Sequence, residues 1–512
     1  MAETKREIER KYEATGDTEL PDLTRVTGVL AVLDRGVDVL DAVYHDTPDL
    51  RLAAASLTLR RRTGGRDAGW HLKFPVASGI RDEVRAPLSD ALPGELAGLL
   101  RSRVRHADVV PVVRLRSRRA VHHLTAPDGT LLAELSVDTV HAERLPGGEE
   151  ANWTEVEVEL ADGTDDETIL DAIEKRLKKA GIRRSASPSK LARALEETGG
   201  AATAPDGAPA GPDELPGPGT AGAAVLAYAR EQVEAIVALD PAVRRDLPDA
   251  VHQMRVACRR LRSALRTYRK VLDRTATDPV GAELKWLAGE LGAARDQEVL
   301  VERLRHGIDA LPRTLRLGPV RRRLRIWGTA QERDSRSRAL AALDSERHLA
   351  LLDRLDALLT DPPLRPAARG DATKVLPQAV LRDDRRVARR IEHALSLAPG
   401  RARDLALHDA RKAAKRARYA AEVAVPVLGK PAKKLASRLK ETQSLLGEHQ
   451  DAVVARETLR TLAAQAHGAG ESAFTWGLLY GREEAAAAAR ERELPGVWAR
   501  ASAPELRAAL TR

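Results

Sequence analysis

The chain has 512 residues, of which 43% are apolar, 31% charged and only 3% aromatic. This composition argues against a disordered chain, and the length exceeds one ordinary core, so roughly two to four domains built on Ala, Leu and Val are expected. The net charge of +9 is uneven: residues 1–200 hold 30 basic and 35 acidic residues, a net of −5, and residues 201–512 hold the other 54 and 40, a net of +14, which directs the second half towards a polyanion.

Cys258 is the one cysteine, so the chain forms no internal disulfide and suits a reducing compartment. The opening MAETKREIERKYE is charged throughout, unlike a signal peptide, and no apolar run of about 18 residues predicts a membrane span. A cytoplasmic protein is expected.

The first informative stretch is Glu7-Ile8-Glu9-Arg10-Lys11. As a strand it sets Glu7, Glu9 and Lys11 on one face, with Ile8, Arg10 and Tyr12 on the other. As a helix it gives only an ordinary Glu7–Lys11 surface pair. The next 150 residues decide for the strand. Val37–Tyr44 is an apolar-rich run. Leu57–Arg62 begins to alternate, and after the Gly64-Gly65 turn Trp70–Phe74 alternates again. Arg81, Glu83 and Arg85 share a face, as do Arg114, Arg116 and Arg118. So do Glu134, Ser136 and Asp138 in Leu131–Val140, and Glu155, Glu157 and Glu159 in Trp153–Leu160.

Half-buried strands normally alternate apolar with mixed polar residues. Here apolar alternates with charged, strand after strand and in both signs. The pattern predicts a closed antiparallel barrel of about eight strands, apolar outside under helices and charged within, able to hold one small ligand. Lines of arginine suit phosphate oxygens. Carboxylates suit Mg²⁺ or Mn²⁺. A helix then closes this half, with Thr164 and Glu167 as its capping box and Gly181 past its end, before Ser187-Pro188-Ser189-Lys190 and a short Leu/Ala helix.

Through residues 1 to about 197 the chain resembles the CYTH superfamily of triphosphate tunnel enzymes. Glu7, Glu9 and Lys11 match its ExExK signature. The resemblance implies that Lys11, the paired Arg60 and Arg62, Lys73, Arg81, one of Arg118 and Arg119, and Lys190 bind triphosphate. It implies that Glu7, Glu9, Asp138 and Glu157 are catalytic, and that Glu7, Glu9, Glu155, Glu157 and Glu159 hold Mg²⁺ or Mn²⁺. One position departs from the pattern: Arg85 stands where the RxExE motif carries its second acid. Members of the superfamily include triphosphatases and a class of adenylate cyclases. The resemblance therefore implies metal-dependent attack on a phosphoanhydride.

Residues 199–222, GGAATAPDGAPAGPDELPGPGTAG, read as a semi-extended linker between a first domain at 1–198 and a second at 223–512. Beyond it the period is helical. His252, Arg255, Arg259, Arg262, Arg266 and Arg269 form one stripe, beside an apolar stripe running from Met254 to Leu272. HQMRVACRRLR then aligns without a gap with HDARKAAKRAR, so that His408, Arg411, Lys415 and Arg418 repeat the spacing next to Arg416. Leu291-Gly292 with Asp296 and Val299 likewise matches Leu446-Gly447 with Asp451 and Val454. This internal duplication, about 223–370 and 380–512, predicts an all-α domain of two pseudo-symmetric bundles with a basic channel between them.

These stretches, with LGAARDQEV and LGEHQDAV, resemble the CHAD domain, an all-helical module whose family binds inorganic polyphosphate. The resemblance implies polyphosphate contact by His252, Arg255, Arg259, Arg262 and Arg266 and by His408, Arg411, Lys415, Arg416 and Arg418. His252 and His408 lack a spaced metal-ligand partner and suit anion contact better.

The expected protein is thus an inorganic triphosphatase joined to a polyphosphate-binding module, cytoplasmic and compatible with polyphosphate granules. The alternative is a non-catalytic polyphosphate-binding protein with a degenerate tunnel, for which Arg85 is the best support. Nucleic acid is disfavoured as a partner, because no reading motif is present and aromatics for base stacking are scarce. Adenylate cyclase activity ranks low, since no adenine pocket is legible. The sequence leaves the oligomeric state open.

Overall fold

The first strand, β1 (Glu3–Ala14), closes a barrel by dividing its partners. In the computed structural model, which describes residues 3–164, 166–199 and 215–511 without the side chains of 293–298 and 330–335, the chain forms two units, 1–207 and 208–512. The Asp296 side chain, and most of the linker expected at 199–222, lie outside the described residues.

The first unit runs β1, β2 (Ala31–Asp46), α1 (Arg51–Ala54), β3 (Thr58–Thr63), β4 (Gly69–Ala77), β5 (Ile80–Ala86), α2 (Gly94–Val104), β6 (Val110–Thr125), β7 (Leu131–Arg144), β8 (Glu150–Leu160), α3 (Thr168–Lys179) and α4 (Lys190–Glu197). Its eight strands close in the order β1-β5-β4-β3-β2-β6-β7-β8, each pair antiparallel. Residues Glu3–Ile8 of β1 pair with β5, and Glu9–Ala14 pair with β8. Glu7 therefore stands opposite Arg81 and Lys11 opposite Glu157.

Alternation sorts the faces as expected. Ile8 and Tyr12 go outward, under Leu170, Ile173 and Leu177 of α3. Leu59, Trp70, Leu72 and Val84 go outward under Leu96, Leu99 and Leu100 of α2. Each fully buried leucine of these layers contributes about 2 kcal/mol. One end of the barrel is filled from within by Tyr44, Leu115, Val140 and Trp153, capped by Leu191, Ala194 and Leu195 of α4. The Ser189 hydroxyl accepts from Ala192 N at 3.0 Å, starting α4 and fixing Lys190 as its first residue. The β3–β4 turn needs glycine at 64, where φ is +79° and a Cβ would collide with the Val39 carbonyl oxygen.

Three expectations change. The Val37–Tyr44 run is the end of a strand that begins at Ala31, with an irregularity between Asp34 and Val37. The shared face of Arg114, Arg116 and Arg118 is the outer one: Arg119 pairs in register with Asp138, and alternation leaves Arg118 exposed outside the barrel. The Thr164/Glu167 capping box does not form. Glu167 lies 3.2 Å from Arg10 Nη2 on β1, and Asp166 instead accepts from Thr168 N at 3.0 Å.

The second unit is helical: α5 (Ala221–Arg244), α6 (Ala250–Thr267), α7 (Arg274–Glu290), α8 (Gly292–Asp309), α9 (Val320–Asp344), α10 (Glu346–Thr360), α11 (Ala372–Ser396), α12 (Arg401–Leu428), α13 (Lys430–Gly468), α14 (Phe474–Ala501) and α15 (Pro504–Ala508). Its apolar cores join both copies of the repeat. Leu261 and Leu265 of α6 share one core with Val387 of α11 and Ala414 and Ala417 of α12. Leu304 of α8 shares another with Leu459 of α13 and Trp476 of α14. Small alanines on α12 bring α6 close, and Tyr268 donates to the Ala420 carbonyl at 2.7 Å. Among the described residues no helix is long and apolar enough to cross a membrane.

Candidate active site and basic helical cluster

Inside the barrel is a cavity of about 360 Å³, open to solvent and lined by eleven Lys or Arg and eight Asp or Glu side chains. The basic excess means that the walls neutralise one another only in part, which suits an anion.

At the closed end, four strands, β1, β6, β7 and β8, converge with α4. Asp138 of β7 and Glu155 and Glu157 of β8 are 0%, 3% and 8% exposed, and their carboxylate oxygens lie within 4.8 Å of one another. Such a group survives burial only with cations among it. Lys190 Nζ supplies one, 2.9 Å from Asp138 and 2.6 Å from both Glu155 and Glu157. Arg119 supplies a second, forked onto Asp138 at 2.8 and 2.6 Å and reaching Glu157 at 2.7 Å. Lys11 is a third, bonded to Glu157 and 3.2 Å from Glu9. Trp153 Nε1 donates to Glu155 at 2.7 Å. Burial alone would push the Glu157 carboxyl up, but Lys11, Lys190 and Arg119 together hold it well below the ordinary range. Burial likewise opposes the Lys190 charge, and Asp138, Glu155 and Glu157 outweigh it.

Three clustered carboxylates with Glu9 close by are a hard-oxygen donor set, which fits a divalent cation such as Mg²⁺ or Mn²⁺.

The opposite wall is basic. Arg60 lies 3.4 Å from the Tyr44 hydroxyl and 3.7 Å from Glu83. Arg62 pairs with Asp67, which follows the Gly64-Gly65 turn. The Nε atoms of Arg60 and Arg62 are buried without a hydrogen-bond partner. Burial, then Arg60 and Arg119, push Arg62 down to about 9. Lys73 bonds to Glu7, and Arg81 donates to the Pro188 carbonyl at 2.8 Å. Arg85 bonds to Glu83 and lies 3.6 Å from Glu7, so the residue that departs from the tunnel motif adds a cation to this wall. His71 bridges Glu83 at 2.9 Å and the Asp67 carbonyl at 2.8 Å, and burial pushes it down to about 4.

The barrel therefore brings Glu7, Glu9, Lys11, Arg60, Arg62, Lys73, Arg81, Arg119, Asp138, Glu155, Glu157 and Lys190 towards one interior. Arg118 is not among them. Glu159 lies at the edge of the group, 2.8 Å from Lys5, where burial and Glu7 push its carboxyl up. The acids divide by depth: Glu7 faces the basic wall, and Asp138, Glu155 and Glu157 sit around Lys190. Sequence reasoning passed over Tyr44, Asp67, His71 and Trp153. Tyr44 and Trp153 had the right parity, but nothing in a single aromatic marks a lumen.

In the helical unit the two repeat copies meet. Arg255 of α6 is buried, and its guanidinium lies against Gly292, where a Cβ would come within 2.9 Å of Nη2. In the second copy Arg411 lies against Gly447 in the same way, at 3.3 Å. The paired Leu-Gly motifs thus make room for equivalent arginines. Lys415 of α12 stands among Arg411, Arg259, Arg255 and Arg418; burial first, then these four charges, push it down to about 7. Arg411 Nε is buried without a hydrogen-bond partner. His252 and His408 are half-buried, and Gln450 of LGEHQDAV bonds His408. His449 of the same stretch lies 3.3 Å from Asp404 and 3.2 Å from Glu491, tying α13 to α12 and α14; Arg456 and Arg403 bind those two acids.

Comparison with known proteins gives two family matches, the CYTH domain over residues 5–195 and the CHAD domain over residues 227–460. Two uncharacterized proteins, from two strains of Mycobacterium tuberculosis, are 40% identical over 502 residues, covering 95% of this chain and 94% of theirs. Among solved structures, PptA from Streptomyces chartreusis is 24% identical, covering 55% of this chain and 99% of that one, with a TM-score of 0.47. The CHAD domain from the plant Ricinus communis is 28% identical, covering 56% and 94%, with a TM-score of 0.45.

Proposed function

The chain belongs to the proteins that join a CYTH domain to a CHAD domain, and from that premise we propose that its barrel hydrolyses a short linear inorganic triphosphate while its helices bind inorganic polyphosphate. The observation that carries the barrel reading is the pair Arg60 and Arg62, whose Nε atoms are buried. Arg60 and Arg62 keep unpartnered Nε donors inside a cavity whose walls are in basic excess, and burial with Arg60 and Arg119 lowers Arg62 although Asp67 pairs with it.

In this reading Arg60, Arg62, Lys73 and Arg81 bind and straighten the triphosphate along the basic wall. Asp138, Glu155 and Glu157 would hold a Mg²⁺ or Mn²⁺ ion, which would supply Lewis-acid charge neutralisation for the phosphoryl group and the water. Lys190 and Arg119 exchange carboxylate for phosphate oxygens. Glu7 and Glu9 orient water for in-line attack: a bond forms from water oxygen to the terminal phosphorus, the bridging P–O bond breaks, and orthophosphate and diphosphate leave.

The test is phosphate release from tripolyphosphate by the full chain with each metal. Glu7→Gln/Glu9→Gln should lower kcat by a factor on the order of 10²–10³. Equal release by wild type and double variant would sink the assignment.

A second reading is favoured by Arg85. Because it engages Glu83 and approaches Glu7, the tunnel would grip the end of a chain without turnover. That reading expects tripolyphosphate binding with no release under either metal.

The helical reading rests on the convergence of Arg255, Arg259, Arg411 and Arg418 around Lys415. Four guanidiniums and a lysine whose pKa is pushed down to about 7 form a site completed by a polyanion. The same reading accommodates cytoplasmic polyphosphate granules as the place of action.

A further inference from the structure

The basic row of α6 serves two places. Arg255 and Arg259 join the cluster around Lys415. Further along the same face, at a rise of 1.5 Å per residue, Arg266 lies about 16 Å from Arg255. There it enters a separate cavity of about 330 Å³, lined by Arg266, Arg269, Arg274, Arg386 and Arg416, with Asp278 as its one acid.

This cavity is built. Asp383 of α11, 1% exposed, accepts from the Thr267 hydroxyl at 2.6 Å, from Arg416 Nε at 2.9 Å and from Arg386 Nη1 at 3.0 Å. Arg416 Nη2 is further fixed by the Arg266 carbonyl at 3.0 Å. Arg274 is held by Asp278 at 2.6 Å. Arg266 and Arg269 form no ion pair among the described residues. Burial, with Arg386 and Arg266, pushes Arg416 down to about 10 in spite of Asp383. Arg416 follows Lys415 directly and so points about 100° around α12 from it. Arg262, half-buried between the two places, feels Arg266 as its nearest like charge.

We propose that this arginine cavity is a second phosphate station and that a polyphosphate chain held at Arg255 and Arg259 runs along α6, past Arg262, to reach it. The proposal rests on the polyphosphate reading of the helical unit. Forked guanidiniums suit the repeated, closely spaced oxygens of such a chain, and spanning both stations adds on the order of 10²–10⁴ to affinity. Chains too short to span the row fill the stations separately.

Calorimetric titration of the full chain in metal-free buffer tests this, with tripolyphosphate and with long-chain polyphosphate. The cavity variant is Arg269→Ser/Arg274→Ser, both exposed; the central variant is Arg259→Ser/Lys415→Met; thermal melting checks the folding of each. The cavity variant should lose at least tenfold in long-chain affinity and one tripolyphosphate per chain, with the central cluster still filling. Unchanged affinity and stoichiometry in the cavity variant, with long-chain binding lost in the central variant, would overturn the second station and leave the polyphosphate reading standing. A wild-type chain that binds no polyphosphate would overturn both. So would displacement of bound polyphosphate by single-stranded RNA of equal charge.

Discussion

Lys190→Met is expected to melt well below wild type in metal-free buffer and to recover most of the loss in Mg²⁺ or Mn²⁺. The ammonium of Lys190 sits 2.6–2.9 Å from Asp138, Glu155 and Glu157, all buried. Its removal leaves three carboxylates with Arg119 and Lys11 alone, and breaking a buried charge group in this way costs about 3–5 kcal/mol. A divalent cation bound by the folded chain returns about 2.7 kcal/mol at a hundredfold excess over its Kd. The pH dependence should invert as well. In wild type, Glu157 and Asp138 titrate below their ordinary range, so the stability they contribute is present above that range and is lost as pH falls through their folded values. In the variant the acids repel one another, their carboxyls rise, and acid should stabilise. Melting curves at several pH values with and without metal decide the matter. A variant that gains no stability from either metal would mean that the three acids hold no cation.

The Lys190 contact also shows where sequence stops informing. Alternation correctly sent Glu7, Glu9 and Lys11 inward, because a strand with Ile8 and Tyr12 on its other face has only one way to bury them under α3. The closed barrel and its helical cover followed from the same parity. Parity does not give depth. The acids read as one metal set, but β1 leaves β5 for β8 between Ile8 and Glu9, so Glu7 meets Lys73 while Glu9 meets Lys11. Nor does parity choose between Arg118 and Arg119: a run of basic residues fits either phase, and only pairing with Asp138 across β7 decides. In the helical unit the repeat rests on motifs that recur in one order, His252 with His408 and Leu291-Gly292 with Leu446-Gly447. The division of the α6 row was not legible, because its members share one helix face, and it is α11 and α12 that enclose one end of it.

Polyphosphate affinity is expected to fall as pH rises above 7, and Lys415 is the cause. In the anion-free chain burial and the four arginines push its ammonium down to about 7, so near neutrality about half the molecules have already lost that proton. A bound polyanion reverses the local potential and lifts Lys415 back towards the ordinary lysine range. Binding therefore takes up a proton wherever the pH exceeds the free value. The protonated form is the binding form, so affinity drops by up to tenfold per unit above pH 7, or about 50-fold from pH 7 to 9 for one proton. A guanidinium does not titrate in this window, so the slope is that of a single lysine. Lys415→Arg should bind at pH 9 as tightly as at pH 7, and Lys415→Met should bind weakly at both. Titrations in two buffers of different ionisation enthalpy, at constant ionic strength, measure the proton directly. A parallel fall in wild type and Lys415→Arg would assign the dependence to another group, leaving the arginines alone as the anion site.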